Sequence, residues 1–127
     1  MKAAAREWVD KAEADYAAAL LLRRSRKKHS RDLVCFHLQQ CVEKYLKARL
    51  ADAAIPFPRV HDLERLLDLA AAVEPLWLAF RASMAKILDY AVEIRYPGRS
   101  ASPTETRMLL QSTSHLRKLM RASLGLH

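Results

Sequence analysis

The stretch Phe36-His37-Leu38-Gln39-Gln40-Cys41-Val42-Glu43-Lys44-Tyr45-Leu46-Lys47-Ala48 holds no proline or glycine. Phe36, Leu38, Cys41, Val42, Tyr45, Leu46 and, just beyond, Leu50 form one apolar stripe at helical spacing, as expected of a helix with one buried side. Gln39, Gln40, Glu43, Lys44 and Lys47 make the other side. Ser30 can cap this helix, and Asp32 lies in its first turn, where the helix dipole favours a carboxylate. The helix should reach about Ala53, because Ile55-Pro56-Phe57-Pro58 must be a loop: proline lacks an amide donor and restrains its neighbour.

Toward the N-terminus, Trp8, Ala12, Tyr16, Ala19 and Leu20 predict a first helix over Ala3 to Leu22, with Lys2, Glu7, Lys11 and Glu13 off its stripe. Arg23 to Arg31 is a basic connection. Toward the C-terminus, His61 or Asp62 opens a short helix with Leu63, Leu66, Leu67 and Ala70 facing inward. Pro75 suits the first turn of a fourth helix carrying Trp77, Phe80, Met84, Ile87, Leu88, Ala91 and Val92, which stops at Tyr96-Pro97-Gly98. Ser102 or Thr104 can cap the last helix, lined inside by Met108, Leu109, Ser112, Leu116, Leu119 and Met120.

The expected fold is all-α: an antiparallel four-helix up-and-down bundle with an additional short helix, one domain over residues 1–127. No segment alternates apolar and polar residues over a strand's length. With 22 Lys and Arg against 14 Asp and Glu, the formal charge is +8, which favours polyanionic partners such as nucleic acid, nucleotide phosphates or an acidic protein. Cys35 and Cys41 lie in an apolar stretch without metal-site spacing and read as buried reduced thiols. No apolar run is long enough to span a bilayer, so a cytoplasmic protein without membrane, metal or cofactor is expected.

Three elements then meet a known pattern. Phe36 to Ala48 resembles paired glutamines followed by Glu-Lys and then a hydrophobic residue with Lys-Ala. His61-Asp62-Leu63 resembles a His-Asp-Leu element, and Ala91 to Pro97 resembles an Arg-Tyr-Pro helix ending. Together with Trp8 and Asp15 to Leu20 they resemble the HEPN domain. The resemblance implies a helical bundle that commonly forms a homodimer. It also implies a role near nucleotides or RNA, often beside a small nucleotidyltransferase in a two-protein, toxin–antitoxin-like module.

Many members of that family are ribonucleases with an Arg followed four to six residues later by His. Arginine holds phosphate, and histidine moves a proton near neutral pH. Arg95 stands where the resemblance places the arginine, but Ser100, Ala101 and Ser102 occupy the histidine positions, and His115 lies far along the last helix. Arg31 and His37 have the spacing but stand at the front of the second helix. An enzyme is therefore not the leading expectation.

The candidate nucleotide- or phosphate-binding residues are Gln40, Lys44, Lys47, His61, Asp62, Arg95 and Tyr96. Lys44, Lys47, Asp62 and Arg95 would border a cleft between the second and fourth helices, with the glutamines reading a base. The plainer alternative is a solvated face with Glu43 and Lys47 as a helical ion pair. His61-Asp62 either starts a helix or faces a ligand, and Arg23 to Arg31 is either a solvated connection or a salt-sensitive phosphate contact. Three functions stay open: a non-catalytic nucleotide- or RNA-binding dimer, a ribonuclease using an atypical Arg/His pair, and a dimerising helical adaptor. Tyr90, Tyr96 and Trp77 would supply excess apolar surface for the dimer.

Overall fold

A computed structural model describes residues 1–127. Its elements are α1 (Ala3–Leu22), α2 (Lys28–Asp52), α3 (Leu63–Ala70), a 3-10 segment (Pro75–Phe80), α4 (Arg81–Glu93) and α5 (Pro103–Ser123), with no strand. No helix is long and apolar enough to cross a membrane.

The helix at the centre is α2. Helices α1, α3, α4 and α5 all pack on it, which explains why its buried residues occupy more than one stripe. Val34, Leu38, Cys41, Tyr45, Leu46 and Leu50 are fully enclosed, and so, within a few per cent, are Gln39, Glu43 and Lys47. The reading of these three as a solvated face does not hold. They lie four residues apart along one ridge, and that ridge is covered by other helices.

Several boundaries follow local chemistry. Asp62 caps α3, accepting from the amides of Glu64 (3.0 Å) and Arg65 (3.4 Å), and all four expected inward residues of α3 are buried. Ser102, not Thr104, caps α5: its hydroxyl accepts from the Glu105 amide while the Glu105 carboxylate accepts from the Ser102 amide. This reciprocal box satisfies two amides that helix geometry leaves free.

Other expectations are corrected. Helix α2 begins at Lys28, so Ser30 lies inside its first turn and donates to the Ser25 hydroxyl, which also accepts the Lys27 amide. Pro75 opens a 3-10 segment that carries Trp77 and Phe80, and α4 proper starts only at Arg81. Val92 and Met108, placed inside by periodicity, are exposed, while Thr106 and Thr113 are buried. Trp77 is buried and Tyr90 half-buried, so of the three aromatics expected to be in excess only Tyr96 stands in solvent.

Candidate functional site

Side chains along α2 are tied to neighbouring helices in three groups. On α1, the buried Asp15 carboxylate receives Lys44 Nζ at 2.5 Å and lies 2.8 Å from His37 Nδ1. On the next ridge, Glu43 accepts from Gln39 and Lys47 (both 3.1 Å) and meets His61 Nδ1 at 3.0 Å. Lys47 Nζ also lies 5.2 Å from the Trp8 ring centre, and Gln40 donates to Gln39. Toward α5, Glu13 takes a two-pronged contact from Arg117 and a hydrogen bond from Tyr45. Arg117, above all, holds the Glu13 carboxyl below its ordinary value.

These contacts decide the fate of most expected site residues. Lys44 and Lys47 point toward α1 and are paired with carboxylates that the fold supplies; Asp62 is a cap; Gln40 and His61 bond within the α2 network. They do not gather with Arg95 on one cleft. Arg31 and His37 are also parted: Arg31 Nε donates to the Ala101 carbonyl at 2.9 Å, and His37 faces Asp15. Six residues at about 100° each leave two side chains about 120° apart around a helix.

Arg95 and Tyr96 do border an open cavity of about 330 Å³, shared with Lys28, His29, Asp32 and Arg99. Arg99 is held by Glu105 (2.8 Å) and Glu93 (3.2 Å). Lys28 and Arg95 have no carboxylate within ion-pair distance, and Arg95 sits 6.0 Å from the Phe36 ring centre. His29 is almost fully exposed, 3.8 Å from Asp32. The cavity thus offers two unneutralised cations with an accessible imidazole.

Next to Ser100 in the cavity wall stands Ala101, which is 1% exposed. Its amide donates to Asp32 (2.8 Å) and its carbonyl accepts from Arg31. The segment after α4 is therefore pinned to the start of α2. Beside it, Ser102 caps α5, so of the three positions expected for a histidine Ala101 and Ser102 are structural and Ser100 lines the cavity.

The family model for the HEPN domain matches residues 5–123. The chain belongs to the HEPN domain family. No curated protein and no solved structure matches it. As a HEPN domain it belongs among proteins whose work concerns nucleotides and RNA; the helix expected to run to Tyr96 ends at Glu93, so Arg95-Tyr96-Pro97 lies in the turns after α4, at the cavity. Sequence reasoning missed His29, because nothing local links the start of α2 to the end of α4. The sole signal was its place in the basic run, next to a helix start.

Cys35 and Cys41 are both free and buried. Burial pushes the Cys35 thiol up to about 11. No group of three or more His, Cys, Asp or Glu side chains is arranged to hold a metal ion.

Proposed function

We propose that this HEPN protein binds the phosphates of a nucleotide or RNA in the Arg95 cavity and does not cleave them. The observation that carries the reading is Arg95 itself: it is unpaired at an open cavity, next to Lys28, whereas Lys44 and Lys47 are neutralised inside the fold. Guanidinium suits phosphate because its planar fork donates two parallel hydrogen bonds. The proposed assembly is a cytoplasmic homodimer, each subunit an antiparallel four-helix bundle with a short extra helix. Its partner is a small nucleotidyltransferase in a toxin–antitoxin-like module.

Fluorescence anisotropy with a single-stranded RNA tests the binding. Arg95→Ala should weaken it about tenfold, which is about 1.4 kcal/mol, and the RNA should remain intact. Equal affinity in wild type and Arg95→Ala would refute the reading. Light scattering tests the dimer, and co-purification with the neighbouring gene product tests the partner.

A second reading rests on His29 sharing the cavity with Arg95. Here the imidazole takes the proton of an RNA 2′-hydroxyl, the 2′-oxygen bonds to phosphorus, and the 5′-oxygen leaves with a proton from water. Arg95 faces the charge that builds on the phosphate. Products ending in a 2′,3′-cyclic phosphate, lost in His29→Ala, would replace binding with catalysis.

A further inference from the structure

Arg31 and Asp32 are neighbours on α2, and both hold the backbone of Ala101. Asp32 borders the Arg95 cavity, while Arg31 borders a second open cavity, of about 420 Å³. Ala101 lies in the segment between Ser100, which lines the first cavity, and Pro103, which lines the second.

The second cavity collects Arg23 and Arg26 from the link after α1, Arg31 from α2, and Arg107 from the first turns of α5. No Asp or Glu lines it. Several arginines elsewhere are matched, Arg49 with Glu74, Arg81 with Asp68, Arg99 with Glu105 and Arg117 with Glu13, but no other cavity gathers four. Arg23, Arg26 and Arg107 have no such partner, and Arg31 meets only a neutral carbonyl. Like charges gathered in one cavity without acids repel one another. An anion in the cavity would relieve that repulsion, and the start of α5 adds the positive end of a helix dipole. The lining has no aromatic ring to stack a base, so the ligand chemistry it fits is phosphate.

We infer that the four-arginine cavity is a second phosphate site, gripping the backbone of an RNA strand that crosses Ala101 into the Arg95 cavity. The inference rests on the RNA-binding reading above. A strand reaches both cavities because consecutive residues, Arg31 and Asp32, line one each, as do Pro103 and Ser100 on the facing segment, whereas a mononucleotide fills one.

The test uses the full chain, a fluorescein-labelled single-stranded RNA and a salt titration. In Arg26→Glu/Arg107→Glu, affinity should fall at least tenfold, and the slope of log K against log salt should drop by about 1.4, at about 0.7 per phosphate contact. Arg59→Glu/Arg65→Glu makes the same charge change on exposed residues outside the cavity and should lose far less. Equal loss in both double variants overturns the site, because net charge then explains it. Calorimetry with inorganic pyrophosphate separates the sources of phosphate. Pyrophosphate binding lost in Arg26→Glu/Arg107→Glu, with RNA binding unchanged, assigns a free polyphosphate and overturns the strand. If Arg95→Ala weakens RNA binding and Arg26→Glu/Arg107→Glu does not, this inference fails alone; if neither variant matters, the RNA reading fails with it. Circular dichroism checks that each variant folds.

Discussion

Asp32 and Ala101, 69 positions apart, are joined by a 2.8 Å hydrogen bond from the Ala101 amide to the Asp32 carboxylate. With Arg31 on the Ala101 carbonyl, this bond fixes the segment after α4 against α2, where Asp32 lines one basic cavity and Arg31 the other. Asp32→Ala leaves a buried amide without a partner, which costs about 1–3 kcal/mol. Urea unfolding should show that loss, and Asp32→Asn, which keeps an acceptor, should show less. A wild-type midpoint in Asp32→Ala would mean that the clamp contributes nothing.

Glu43 is 2% and Lys47 5% exposed, so removing one partner strands the other. Glu43→Ala should destabilise the fold by about 3–5 kcal/mol. Glu43→Leu/Lys47→Met, which removes both charges, should recover most of that loss. RNA affinity of the folded double variant should stay within about twofold of wild type, a difference of only about 0.4 kcal/mol. A large affinity loss there would return Lys47 to the binding site.

Acid should weaken the contact between α1 and α5. Arg117 holds the Glu13 carboxyl below its ordinary value of 4.5, helped by Tyr45. A depressed folded value means that the contribution is complete above the unfolded value and is lost as pH falls through the folded one. Glu105 behaves alike, held far down by Arg99 and by the Ser102 backbone. The stability gap between wild type and Glu13→Gln, read from urea midpoints, should therefore be full at neutral pH and narrow as pH drops below 4.5. A gap that does not change with pH would count against the ion pair.

Thr113 on α5 is fully buried, and its hydroxyl has no hydrogen-bond partner. Valine has nearly the same shape without the polar atom. Thr113→Val should raise stability by about 1 kcal/mol, because an unpaired buried hydroxyl costs roughly that much. The melting temperature checks it: a fall would show that the hydroxyl is satisfied in solution.

Much of the secondary structure was legible from the chain. The bounds of α1, the Asp62 cap and the inward face of α3 follow from neighbours within a turn, and so does the choice of Ser102 or Thr104 for α5. The start of α2 was misjudged because Ser25, outside the helix, does the work expected of Ser30. The site was less legible. Arg95 and Tyr96 were placed at a cavity by the family pattern, but Lys44 and Lys47 were assigned there too, and His29 was not.

By itself the sequence determined an all-helical chain, its turns and its family, because helical periodicity, capping and proline act over a few residues. Only the tertiary structure decided which polar groups are free. Asp15 reaches Lys44 from another helix, Trp8 covers the Glu43–Lys47 pair, and no carboxylate comes within ion-pair distance of Arg95 or Arg107, although Asp32 shares the Arg95 cavity. Spacing along one helix foretells a local pair such as Glu43 with Lys47, but whether the other charges are neutralised or left open to a ligand depends on what distant segments bring within a few ångströms.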